Sequence, residues 1–148
     1  TRANIEYALA VRGISGAKRR HRVDAVLEQT GLASLADQNA RVLSLGEQQR
    51  LALARVWALE PRILFLDEPT AHLDPSSTRM VEDVISGIFD SGTKIVMTSH
   101  DMCQVKRLAD EVLFLYRGRL LEKTSVKKFF ARPKSTEGQL FVTGDLLW

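Results

Sequence analysis

Two acidic residues in succession, Asp67-Glu68, stand directly after the apolar run Ile63-Leu64-Phe65-Leu66, and His100 follows a second such run, Lys94 to Thr98. Open α/β sheets deliver polar side chains at the carboxyl ends of their strands, so two carboxylates and an imidazole would share one sheet edge. That set suits metal-assisted hydrolysis, with one acid holding Mg²⁺ directly or through water and the other orienting or deprotonating an attacking water. A plain structural role also fits: Asp67-Glu68 as a polar strand end entering a turn at Pro69, and His100 as a hydrogen-bonded loop residue. Ser44-Leu45-Gly46-Glu47 has the spacing of a capping box, Ser at the N-cap and Glu three residues on. The same helix start would present free backbone N–H groups to a phosphate, and Gly46 would let the backbone approach it closely. Asp74 is explained by helix capping alone, being followed by Pro75.

The elements that must position these residues can be read from periodicity. A short helix is expected from Thr1 to about Val11 on Ile5 and Leu9, and a second from Ala17 to Thr30 on Val23, Val26, Leu27 and Thr30, stopped by Gly31. Lys18 to Arg22 crowd the first turns of the second helix and oppose its dipole; a solvated face is the simpler account of them. A helical turn and loop follow to Leu43. Ser44 then opens a helix through about Leu59, with a wide apolar surface on Leu51, Leu53, Ala54, Trp57 and Ala58. Ile63 to Leu66 and Lys94 to Thr98 read as buried parallel strands. They flank a helix from Pro75 to about Phe89 on Met80, Val81, Val84, Ile85, Ile88 and Phe89, which makes a right-handed βαβ unit. Beyond a helix from Asp101 to Ala109, a hairpin turns at Arg117-Gly118. A short amphipathic helix spans Val126 to Phe130, and a tail contains Leu140, Phe141, Val142 and Trp148.

Composition bounds the partners. The 148 residues are 45% hydrophobic and 26% charged, which excludes disorder and low complexity. A net charge of +3 is too small to argue for nucleic acid. The single cysteine, Cys103, excludes an intramolecular disulfide and a Cys-rich zinc site and points to a reducing compartment. No apolar stretch is long enough to span a bilayer. The chain opens at Thr1 rather than Met, so we read it as a piece of a longer polypeptide.

In order, Leu43-Ser44-Leu45-Gly46-Glu47-Gln48-Gln49-Arg50, Ile63 to Thr70, Ala71-His72-Leu73-Asp74 and Thr98-Ser99-His100-Asp101 resemble four successive motifs of the ABC-transporter ATPase family. They match its signature, Walker B, D-loop and switch-histidine segments. The hairpin Glu111 to Glu122 is similar to the segment that usually follows. The resemblance implies an α/β fold: a partial P-loop NTPase core with a mostly parallel sheet, a helical subdomain and a C-terminal hairpin. It implies one truncated domain over 1–148, with 1–43 the remainder of the helical subdomain, 44–123 the signature helix and catalytic core, and 124–148 a tail. It also implies ATP and Mg²⁺ as cofactors. By position, Asp67 would help hold Mg²⁺, Glu68 would be the general base and His100 would contact the γ-phosphate. Ser44 and Gly46, with Glu47 beside them, would bind a nucleotide held mainly by the other subunit of a head-to-tail dimer, and Asp74 would lie at that interface. The implied partners are a polytopic membrane permease, a second ATPase subunit and a solute-binding protein, at the cytoplasmic face of the membrane.

Leu45 stands where the signature usually has Gly, and Glu47 where it has Gln. The chain has no G-x-x-x-x-G-K-[ST] loop, and Gly13 to Arg19 matches that loop in composition only. The family's glutamine loop is missing too, so by resemblance about the first third of such a domain would precede Thr1. The chain alone is therefore expected not to hydrolyse ATP, and to expose a hydrophobic sheet edge and associate. An importer of small solutes is the preferred subclass; the tail Gly138 to Trp148 is similar to those of tungstate-type and related oxyanion importers. Two alternatives remain: a non-transport ABC ATPase acting on ribosomes or DNA, and a non-catalytic module supplying the signature helix in trans.

Overall fold

The computed structural model describes residues 1–145, and they divide into two compact units, Thr1–Thr98 and a second from Ser99 onward. The tail's last residues, Leu146 to Trp148, lie outside the described residues.

In the first unit, helices α1 (Arg2–Val11) and α2 (Gly16–Gln29) bury Ile5, Leu9, Val23, Val26 and Leu27 against each other. Gly31 ends α2 at φ 65°, a left-handed conformation that glycine adopts without steric cost. Leu32 N–H then donates to Leu27 O and Gly31 N–H to Glu28 O, the paired bonds of a Schellman motif, and Leu32 is buried in the same core. Two short 3-10 turns, Ala33–Leu35 and Ala40–Val42, lead to α3 (Leu45–Trp57).

Helix α3 is apolar on two faces because it divides two cores. Leu51, Ala54 and Ala58 pack with α1 and α2, whereas Leu53 and Trp57 pack with Leu64 of β1 (Ile63–Asp67) and with Val81, Val84, Ile85 and Ile88 of α4 (Pro75–Asp90). Arg22 fastens α2 to the end of α3, donating to the carbonyls of Trp57 (3.0 Å) and Ala58 (3.2 Å) and pairing with Glu60 at 2.6 Å. This cation of the α2 cluster is thus structural, satisfying carbonyls that a helix end leaves open. Helices α3 and α4 touch at two glycines. A Cβ on Gly46 would meet Ser77 at 2.7 Å, and one on Gly87 would meet Trp57 at 2.8 Å.

Strands β1 and β2 (Lys94–Thr98) pair in parallel, Ile63 opposite Lys94 and Asp67 opposite Thr98. Leu64, Leu66, Ile95 and Met97 face the second core. The expectation of fully buried strands is corrected here: Ile63, Phe65 (74% exposed) and Val96 face outward, because the described helices of this unit cover only one side of the sheet. Met80 and Phe89 are likewise exposed at the margins of α4's apolar stripe. Among the described residues, no helix is long and apolar enough to cross a membrane.

The second unit contains α5 (Met102–Leu108), an antiparallel hairpin of β3 (Glu111–Tyr116) and β4 (Arg119–Ser125), α6 (Val126–Ala131) and α7 (Thr136–Thr143). Arg117 and Gly118 both have positive φ, as the tight hairpin turn requires, and a register shift at Phe114/Leu115 bends the ladder. Phe114 stacks at 5.3 Å on Phe129 and at 5.4 Å on Phe141, which gives this unit an aromatic core. The stretch read as a tail therefore folds as α7, with Ser135 as its N-cap and Gly144 at φ 85° closing it.

Candidate functional site

Strand β1 ends on Asp67, and its register partner is Thr98, the last residue of β2. The Thr98 hydroxyl donates to Asp67 Oδ1 and accepts from the backbone N–H of Glu68 at 3.1 Å. One hydroxyl thus holds both members of the acidic pair. Thr98 was not among the candidates from sequence; its signal is its place at the end of the neighbouring strand, in register with the first acid. Glu68 sits at φ 44° and His72, in the turn that follows, at φ 64°. Such left-handed conformations in non-glycine residues cost on the order of 1–3 kcal/mol and cluster at functional sites. The turn is held by Ala71 N–H to Glu68 O at 3.0 Å and Leu73 N–H to Thr70 O at 3.2 Å.

The donors at this strand end suit a hard cation. Asp67 is exposed, and Oδ2 makes no hydrogen bond among the described residues. No group of three or more His, Cys, Asp or Glu gathers as a metal site among the described residues. A single carboxylate supplemented by phosphate oxygens and water is how Mg²⁺ is commonly held, so Asp67 fits that role and a protein-only cage does not.

The second constellation lies where the N-termini of α3 and α4 meet. The capping box of α3 is complete: Glu47 Oε2 accepts from Ser44 N–H at 2.7 Å and from the Ser44 hydroxyl at 2.8 Å, and Glu47 N–H donates to Ser44 Oγ at 3.4 Å. The Ser44 backbone N–H, then its hydroxyl, hold the Glu47 carboxyl below the usual glutamate range. Asp74 caps α4 by accepting from Ser76 N–H at 2.9 Å and Ser77 N–H at 3.0 Å, and the Ser77 side chain, then its N–H, draw its carboxyl below the ordinary value. Gly46 is buried against Ser77, so Ser44, Gly46, Glu47 and Asp74 come together through the contact of the two helices. Leu45 projects to solvent beside them. Arg50, one turn further along α3, is buried and donates Nη1 to Met80 Sδ at 3.1 Å, with Nε lacking an acceptor.

His100 belongs to the second unit, in the turn ahead of α5. Ser99 Oγ accepts from Asp101 N–H at 3.1 Å, and Asp101 caps α5 by accepting from Cys103 N–H at 2.8 Å and Gln104 N–H at 3.1 Å. The first unit brings Asp67, Glu68 and Thr98 together by itself.

A parallel strand pair thus ends in an acidic couple, and the same unit holds a pair of capped helices in contact at their N-termini. The family model described as ABC transporter matches residues 2–71, and the chain is similar to ABC-transporter ATP-binding proteins over nearly all of its own length. The phosphate import ATP-binding protein PstB 2 of Natronomonas pharaonis is 35% identical over 99% of this chain and 55% of its own length. The glutamate transport ATP-binding protein GluA of Corynebacterium glutamicum is 39% identical over 80% of this chain and 49% of its own. Among solved structures, cbiO1 of Clostridium perfringens, part of the ABC transporter complex cbiONQ, superimposes with a TM-score of 0.78 at 30% identity. The match covers 92% of this chain and 54% of that one. The chain spans about half the length of the curated relatives it matches.

Proposed function

We propose that this chain forms the signature-helix-to-hairpin portion of an ATP-hydrolysing subunit that drives import of a small solute. The observation that carries this reading is the Asp67-Glu68 strand end, tied to Thr98 with Glu68 held left-handed. In it, Glu68 takes the proton from the water that attacks the γ-phosphate, and Thr98 fixes the backbone from which its carboxylate projects. Asp67 would help hold Mg²⁺, which would supply positive charge to neutralise the phosphate oxygens. His100 contacts the γ-phosphate. Ser44 and Gly46 complete the nucleotide site of a paired subunit, with Asp74 at that interface. The Glu47 carboxylate is spent on the helix cap, which limits its repulsion of phosphate.

Residues 1–43 act as the remainder of the helical subdomain and meet a membrane permease at the cytoplasmic face, residues 44–123 form the signature helix and catalytic core, and residues 124–148 are a tail to that core. A solute-binding protein completes the assembly. Relatives named for phosphate import support import and an oxyanion as solute, and one named for glutamate transport supports a small solute. The sequence has no phosphate-cradling loop with its lysine, so the isolated chain is inactive. A fusion that places a P-loop-bearing segment of the family ahead of Thr1 tests the proposal. It should gain Mg²⁺-dependent ATP hydrolysis that the isolated chain lacks. Turnover by the isolated chain, or none by a folded fusion, would overturn it.

A further inference from the structure

The chain has three methionines, Met80, Met97 and Met102, in different surroundings. Met80 of α4 is 41% exposed, whereas Met97 packs against the second core of its unit and Met102 is half-buried at the start of α5. The Met80 sulfur also has an uncommon partner. Arg50 of α3, only 7% exposed, donates Nη1 to Met80 Sδ at 3.1 Å, and its guanidinium makes no other hydrogen bond among the described residues. Its Nε is buried without an acceptor, and Arg50 makes no ion pair among the described residues. Glu47, the carboxylate one turn back on α3, is committed to the Ser44 N–H and hydroxyl. A buried cation of the α3–α4 contact is thus answered by a thioether alone.

A thioether is a weak acceptor, and a buried charged group without a strong one is costly. Chemistry at the sulfur removes that deficit. With a peroxide, a sulfur lone pair attacks one peroxide oxygen; an S–O bond forms as the O–O bond breaks, sulfur is oxidised by one electron pair, and the other oxygen leaves as water. In apolar surroundings the polar sulfoxide disrupts packing. Beside Arg50 it meets N–H donors that lack an oxygen partner, and hydrogen bonds to a charged group are the stronger kind. Met80 is exposed and flexible, so its sulfur can draw back and let the new oxygen take Nη1.

We propose that Met80 is a site of oxidation to the sulfoxide, and that the new oxygen accepts from Arg50 and tightens the contact of α3 with α4. This contact is separate from Asp67, Glu68 and Thr98, so its test needs no nucleotide. The purified chain is treated with limiting hydrogen peroxide, oxidation at each methionine is followed by peptide mass spectrometry, and thermal unfolding is followed by circular dichroism. Met80 should be oxidised ahead of Met97 and Met102. The melting temperature should rise by several degrees as Met80 sulfoxide accumulates, and methionine sulfoxide reductase should reverse the rise. Met80→Leu cannot gain an oxygen and should show no rise with peroxide. Met80→Gln supplies an amide oxygen without oxidation and should melt above Met80→Leu. Three results would overturn the proposal: Met97 or Met102 oxidised first, an unchanged or lower melting temperature when Met80 is oxidised, or the same rise in Met80→Leu.

Discussion

The contact of Gly46 with Ser77 gives a direct way to separate packing from ligand approach as the reason for a glycine in the signature segment. In Gly46→Ala the new Cβ would stand 2.7 Å from both Cβ and Oγ of Ser77. Carbon atoms in good contact are about 3.5–4.0 Å apart, so the overlap is close to 1 Å. Overpacking of this kind costs about 1–3 kcal/mol, against about 0.5–1 kcal/mol gained by replacing a helical glycine with alanine. The substitution should therefore destabilise the first unit by about 1 to 2 kcal/mol. At roughly 4–8 °C per kcal/mol for a unit of this size, the melting temperature should fall by several degrees. Urea and thermal unfolding followed by far-UV circular dichroism read this out. Ser77→Gly removes both clashing atoms, and Ser77 Cα would then lie 3.7 Å from the new Cβ, an ordinary contact. The double variant should recover the clash energy, a coupling of at least about 1 kcal/mol in the cycle. Ser77→Ala keeps its Cβ and should not rescue. A neutral or stabilising Gly46→Ala, or additive effects with Ser77→Gly, would refute the packing account and leave phosphate approach as the reason for the glycine.

Arg22→Ala should destabilise the first unit by about 1–2 kcal/mol in urea titration, because it frees the carbonyls of Trp57 and Ala58 and strands Glu60. Arg22→Lys should recover only part of this loss, since one ammonium cannot replace the guanidinium fork. Buried Glu122 accepts from Ser135 N–H (2.7 Å) and its hydroxyl (2.6 Å); burial raises its pKa, but these bonds with the Lys134 N–H and charge outweigh that and leave it lowered. A depressed native pKa contributes stability that is complete above the ordinary glutamate value of about 4.3 and is lost as pH falls through the lowered one. The difference in urea midpoint between the natural chain and Glu122→Gln should therefore shrink on acidification below that value, and a pH-independent difference would contradict this. Phe65→Lys, on the uncovered sheet face, should change stability by no more than about 0.5 kcal/mol while lowering light scattering at high concentration. Unaltered scattering would show that the exposed face is not what associates.

Much of the fold was legible because its signals are local. Asp74-Pro75 starts α4, Ser44 and Glu47 start α3, and Gly31 stops α2, each by satisfying backbone groups that a helix end leaves open. The apolar positions of α3 were visible, but not that they divide between two cores, which depends on what packs on either side. Strand positions followed from the apolar runs, whereas their burial did not. Period two cannot tell which face of Ile63 to Leu66 is covered, and here only the Leu64 face is. The eight residues of α7 have little periodicity, so their sequence does not announce a helix, although Ser135 and Gly144 mark its ends. At the site, the acids and their strand-end position were readable. The role of Thr98 and the left-handed backbone of Glu68 are tertiary facts, set by strand register and by the turn after Pro69.

In the proposed function Glu68, held at the end of β1, is the base for hydrolysis. In the fusion carrying a P-loop-bearing segment ahead of Thr1, turnover and ATP binding are measured for Glu68→Gln. Loss of the base should reduce turnover by at least about 100-fold with ATP affinity unchanged. Turnover equal to that of the unsubstituted fusion would contradict the account.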